Sequence, residues 1–109
     1  MSDRIKLEVV TPERHVFSGE VESLTASTVD GPVEILYNHA PLMTALQLGI
    51  LKYVRAGKKE TIAVGPGFME VKDNQVMVLA RFADLSQDIE KLRVMVEKET
   101  YNKSSDQEE

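Results

Sequence analysis

The chain has 109 residues, of which 42% are apolar and 28% charged, with a net charge of −5 and no cysteine. That length bounds one domain with one modest core. Acidity without a basic cluster argues against a grip on nucleic acid, and the lack of cysteine excludes disulfides, thiol catalysis and Cys-ligated metals.

The first residues, Met1-Ser2-Asp3-Arg4, lead into no long apolar run. Neither a secretory signal nor the ~20 apolar residues of a membrane helix is evident, so a cytosolic protein is expected. Ile5, Leu7 and Val9 alternate with Lys6 and Glu8, the period of a half-buried strand, and Pro12 ends it. Phe17-Ser18-Gly19 reads as a turn. Glu20 to Thr28 reads as a strand that slips its alternation at Ser23-Leu24, which predicts a bulge. Asp30-Gly31-Pro32 is a tight-turn signal, followed by a short strand over Val33–Leu36.

Tyr37-Asn38-His39-Ala40-Pro41 reads as a loop, and Leu42 to Leu46 as an extended segment. Gly49–Arg55 and Glu60–Val64 are paired strands joined through Ala56-Gly57-Lys58-Lys59. Gly65-Pro66-Gly67 breaks the pattern as a strand-entry bend. Phe68–Lys72 and Gln75–Ala80 form a hairpin around Asp73-Asn74, a pair that tolerates positive φ. Turns at this spacing predict a mainly β fold, an antiparallel β-sandwich or barrel-like domain over 1–84. After Asp84 the period changes. Leu85, Ile89, Leu92, Met95 and Val96 predict one short amphipathic C-terminal helix over 85–101. Residues 102–109 are polar and predict a disordered tail.

Reactive chemistry finds little support. His15 and His39 are the only histidines, and neither has ligands at metal spacing, so no metal is expected. Ser18, Ser23 and Ser27 lack a Gly-x-Ser-x-Gly setting. Gly65-Pro66-Gly67 lacks the lysine of a phosphate-cradling loop. Glu20 and Glu22 fall two apart and would share one strand face as solvated charges. Met43, Met69, Met77 and Met95 read as core filler. No catalytic residue is assigned.

The run from Val29-Asp30-Gly31-Pro32-Val33 through Ile35-Leu36-Tyr37-Asn38-His39-Ala40-Pro41-Leu42 to Leu46 resembles the best-marked segment of the ATP synthase epsilon family. That family typically shows Ile-Leu-Pro-Gly-His-Ala-Pro-Leu here. Leu7–Glu13 with Val16–Val21, Gly49-Ile50-Leu51, and Gly67–Val71 with Val76–Ala80 follow in the family's order. Glu34 stands where the family usually has glycine, Tyr37-Asn38 replaces Pro-Gly, and Arg81 replaces aspartate.

The resemblance implies a non-catalytic rotor subunit of the central stalk in a proton- or sodium-translocating F-type ATP synthase. Implied partners are the gamma subunit, the membrane c-ring and the catalytic alpha/beta head. Contact with the membrane would come only through the c-ring, at the cytoplasmic face of the inner membrane. The partner-binding residues implied are Gly31, Pro32, Val33, Tyr37, Asn38, His39, Ala40, Pro41 and Leu42, with Leu36 as a further anchor. Leu36 and Leu42 read equally well as core. The family commonly ends in two helices that can block hydrolysis; one helix implies weak or no inhibition here. The alternative is an ATP-sensing subunit that inhibits through its helix. Its mark would be ATP binding at Glu90 and Arg93, which keep an acid–arginine spacing of the family's motif. Those two also read as a plain i,i+3 surface pair.

Overall fold

Alternating apolar and polar side chains sort each strand into an inner and an outer face. The computed structural model describes residues 3–85. Their ten strands are β1 (Ile5–Val10), β2 (His15–Val21), β3 (Ser23–Thr28), β4 (Gly31–Ile35) and β5 (Leu42–Leu46), then β6 (Gly49–Arg55), β7 (Lys58–Val64), β8 (Gly67–Lys72), β9 (Gln75–Ala80) and β10 (Ala83–Asp84). The helix expected over 85–101 and the tail over 102–109 fall outside the described residues, Leu85 apart.

Two five-stranded layers emerge from the pairing, β4-β3-β6-β7-β10 and β5-β8-β9-β1-β2. They join at a corner where Thr28 of β3 faces Leu46 of β5. Two backbone bonds extend that corner, Val29 N–H to the Ala45 carbonyl at 3.1 Å and Gln47 N–H to the Ser27 carbonyl at 3.2 Å. The neighbours are antiparallel except β1 and β9, which run parallel from Lys6 beside Gln75 to Val10 beside Leu79. This is a β-sandwich with barrel-like closure, as the alternation predicts.

One continuous core fills the space between the layers. Ile5, Leu7, Val9, Met69, Val71, Val76 and Val78 face Leu24, Ile35, Leu51 and Ile62 across it, and all are buried. A fully buried aliphatic side chain of this kind contributes about 1.5–3 kcal/mol by leaving water. At the open side, the Phe17 ring of β2 packs on the Tyr53 ring of β6, with centroids 5.0 Å apart. The Arg55 guanidinium lies 5.4 Å from the Phe17 centroid and pairs with the Glu60 carboxylate at 3.1 Å. Burial, and then the hydrogen bond and negative charge of Glu60, push the Tyr53 hydroxyl up to about 12, against the opposing pull of Arg55.

Four local readings need correction. Phe17-Ser18-Gly19 is not a turn but the middle of β2, paired to β1 through Val9, Glu8 and Leu7. The small Gly19 lets the Phe17 ring lie over it, since a Cβ there would sit 3.2 Å from the ring edge. The slip expected at Ser23-Leu24 is a change of sheet at Glu22, and the irregular register lies instead at Val9/Val10. Glu22 therefore leaves the strand and does not share a strand face with Glu20. Its carboxylate accepts the Gly57 N–H at 2.8 Å, and its own N–H reaches the Val54 carbonyl at 2.7 Å. The β6–β7 connection is shorter than expected, with only Ala56 and Gly57 between the strands.

Candidate docking surface

The loop between β4 and β5 carries the sequence signature and crosses from one sheet to the other. Its shape begins with Asn38, whose φ of 66° is the left-handed conformation that glycine or asparagine adopts most readily. Asn38 N–H donates to Asn74 Oδ1 at 2.6 Å, and Asn74 Nδ2 donates to Asn38 Oδ1 at 3.1 Å. His39 N–H closes a turn on the Leu36 carbonyl at 3.0 Å. The half-buried His39 ring donates from Nδ1 to the Ala40 carbonyl at 2.6 Å, which fixes its tautomer. This ring is a strut of the loop.

The structure divides the implied site. Tyr37, Asn38, His39, Ala40, Pro41 and Leu42 lie together at one end of the sandwich, beside the Asp73-Asn74 turn. Gly31, Pro32 and Val33 lie towards the far end of β4, where Gly31 takes φ 114° after the Val29-Asp30 turn. A strand of that length holds the two groups roughly 13 Å apart. Val33 and Leu42 pack against the core, whereas Leu36 and Tyr37 are exposed. So the two readings of Leu36 and Leu42 part: Leu36 is surface and Leu42 is largely core. Glu34 is an ordinary strand residue, absent from the positive-φ positions, so it needs no glycine. Glu90 and Arg93 lie outside the described residues.

A second exposed apolar feature was not expected. On the outer face of the second sheet, Ala45, Phe68, Leu79 and Val10 stand side by side across β5, β8, β9 and β1. Phe68 is 58% exposed and Leu79 51%. With Pro12 and Pro66 they line a shallow apolar groove of about 630 Å³. The next row is Met43, Glu70, Met77 and Glu8, and there Met43 is 67% exposed. Met43 and Met77 are thus not core filler, because Leu42, Thr44 and Leu46 take the inward phase of β5, and Val76 and Val78 that of β9; Met69 is buried. Lys72, Gln75, Lys6 and Glu20 form the third row. The face grades from apolar to charged. Its signal was the phase of the alternation, since Phe68 and Leu79 fall out of step with their strands' inward residues.

His15 meets Glu8 at 3.3 Å on the surface, and Ser18, Ser23 and Ser27 sit within strands. No group of three or more metal-ligating side chains occurs among the described residues. Among the described residues no helix is long and apolar enough to cross a membrane.

A sheet-changing loop and a graded outer face define a β-sandwich module with exposed apolar side chains at one end and along one side. The chain belongs to the ATP synthase epsilon family: the sequence model of the ATP synthase delta/epsilon chain β-sandwich domain matches residues 4–85. It is 51% identical over 90 residues to the ATP synthase epsilon chain of Carboxydothermus hydrogenoformans, covering 83% of this chain and 67% of that one. It is 41% identical over 99 residues to that of Desulforamulus reducens, covering 91% and 75%. Among solved structures it resembles a chain of the Euglena gracilis mitochondrial ATP synthase assembly of OSCP, F1 and c-ring. There the TM-score is 0.73 with 26% identity, over 90% of this chain and 64% of that one. A chain of the Tetrahymena thermophila central stalk and c-ring shares the fold, with a TM-score of 0.64 and 15% identity.

Proposed function

We propose that this chain is a non-catalytic rotor subunit of the central stalk, joining the gamma subunit to the c-ring of an F-type ATP synthase beneath the alpha/beta head. The observation that carries this is the family match over residues 4–85, the whole sandwich. The geometry supports it physically. A stalk part must pass torque without shearing, and a sandwich with one continuous buried core resists shear. It must also adhere, and Leu36, Tyr37, Met43, Phe68 and Leu79 supply exposed apolar anchors. Its place is at the cytoplasmic face of the inner membrane, held there through the c-ring.

Residues 86–109 exert weak or no inhibition of ATP hydrolysis in this reading. Within these residues, Ile89, Leu92, Met95 and Val96 make an apolar stripe for one helix. Co-purification tests the main proposal. A tagged chain expressed with its cognate subunits should bring down alpha, beta and gamma. A chain that leaves those subunits behind, or that turns over a substrate alone, sinks it. Deletion of residues 86–109 should leave hydrolysis by the assembled complex nearly unchanged, and strong activation would refute the second part.

A further inference from the structure

We propose that Asn38 and Asn74 are positioning residues, whose side chains clamp the β4–β5 loop to the β8–β9 hairpin and set its shape before a partner arrives. The proposal rests on the reading of that loop as a docking surface.

The two residues are 36 positions apart in sequence. Their amides close on each other in one orientation. The Asn74 carbonyl oxygen takes the Asn38 backbone N–H, so its amino group faces the Asn38 carbonyl oxygen. Asn74 also fixes a third element, because its backbone carbonyl accepts the Lys6 N–H at 3.0 Å. Loop, hairpin and first strand therefore meet at one residue.

The loop's other bonds are local. His39 bonds back to Leu36, and its ring to Ala40. Among the described residues, the two bonds between Asn38 and Asn74 are what ties residues 36–41 to another element by hydrogen bonding. Both residues hold left-handed backbones, φ 66° and 59°, so each presents its short amide sideways across the gap. The apolar groups on this loop, Leu36 and Tyr37, are exposed and gain little order from the core. A loop that must be ordered on docking loses affinity to conformational entropy, and one already held does not.

The chemistry of the pair grades the substitutions. Asn74→Gly keeps the left-handed backbone of the turn and removes both bonds. Asn74→Asp keeps an acceptor for the Asn38 N–H but cannot donate in return. Asn38→Gly keeps the backbone bond alone. Asn38→Asp keeps both, because its oxygen still accepts and its N–H still donates.

The experiment has two arms. Hydrogen–deuterium exchange on the free full chain reads loop order, and binding to the cognate gamma–c-ring rotor reads docking. Asn74→Gly should speed exchange in residues 36–42 about tenfold while strands β6 and β7 hold their protection. It should weaken rotor binding about tenfold, largely through faster dissociation. Asn74→Asp and Asn38→Gly should fall between, and Asn38→Asp should restore both readings. Unchanged loop exchange in Asn74→Gly overturns the clamp and leaves the docking reading standing. Faster exchange with undiminished rotor binding overturns the positioning role and the assignment of docking to this loop together. If wild type itself fails to bind the rotor, the stalk reading falls, and with it the role of the clamp in docking. Should Asn74→Gly fold poorly, the Asn38 pair of variants carries the same comparison.

Discussion

The outer faces of the two sheets follow the same alternation and end differently. Across the first sheet, Glu34, Thr25, Lys52 and Thr61 stand in one row, and Ser23, Val54 and Lys59 in the next. Across the second, Ala45, Phe68, Leu79 and Val10 stand together, with Met43 beside them. The inner faces are equally apolar, so the core does not account for the difference. Exposed side chains such as Phe68 and Leu79 add little to folding. A row of them, graded into charge at its far end, is what a surface looks like when another molecule covers it. The first face carries polar and charged rows, and the second carries the exposed apolar row that the proposed rotor contact would cover.

The strongest way to break the comparison is to stop the second face from forming. Gly67 opens β8 between Leu46 and Ala80, and a Cβ there would run into the Leu79 backbone carbonyl. Rigid backbone cannot yield as a side chain can. Gly67→Ala should cost about 3 kcal/mol or more in urea unfolding, and a loss below 1 kcal/mol would mean the hairpin is looser than described.

The comparison is sharpened by changing the faces without touching the core. Phe68→Ser combined with Leu79→Ser should weaken binding to the cognate rotor by about 2 kcal/mol, roughly thirtyfold. Its own stability should move by less than about 1 kcal/mol, since both side chains are largely in water. Thr25→Ala with Lys52→Ala on the opposite face should leave binding as it was. Equal effects from the two pairs would remove the distinction between faces.

Much of this fold was legible because strand phase is local. The bounds of β1 and β6, and the β8–β9 hairpin with its Asp73-Asn74 turn, follow from alternation and turn chemistry alone. Phe17-Ser18-Gly19 misled because Ser-Gly is a local turn signal, while a ladder with β1 and the Phe17–Tyr53 contact override it. The parallel pairing of β1 with β9 joins residues nearly seventy positions apart, and no local pattern reports it. The docking candidates divide the same way. The β4–β5 loop is a contiguous motif, readable by resemblance. The Phe68–Leu79 row exists only once four strands are in register, and the Asn38–Asn74 clamp only once loop and hairpin meet.

The side of the sandwich where β2 meets β6 distinguishes packing from polar closure. Tyr53 there is buried, and its hydroxyl is held protonated up to about 12 by burial and then by Glu60. The sign follows from linkage. A tyrosine near 10 when unfolded and near 12 when folded lends full stability below pH 10, lost as pH rises towards 12. Tyr53→Phe should cost about 1 kcal/mol at neutral pH, the net worth of one hydrogen bond. It should also flatten the fall in stability between pH 10 and 12 relative to wild type. Urea midpoints at pH 8, 10 and 11.5 measure both, and parallel alkaline losses in the two proteins would show that Tyr53 is not the group responsible.

The smallest expected effect compares two hairpin turns. Asp73-Asn74 and Ala56-Gly57 both hold two consecutive left-handed residues, φ 52° and 59° in the first and 51° and 78° in the second. Such turns match the twist of the strands they join, which is why two-residue hairpins favour them. Aspartate and asparagine tolerate that backbone; alanine does not, because its Cβ crowds the following carbonyl at a cost of about 1–2 kcal/mol. Ala56 is exposed, so burial offsets little of that cost. Gly57 meanwhile donates its N–H to Glu22, which ties the turn to the β2–β3 crossing and holds Ala56 in place. Ala56→Asn should therefore stabilise the chain by about 0.5–1 kcal/mol, raising its thermal midpoint by a few degrees. The same exchange in reverse at the other turn, Asn74→Ala, should cost more than this gain, because it strains the backbone and severs the clamp together. If the two changes prove equal and opposite, backbone strain alone separates the turns and the clamp contributes nothing to stability.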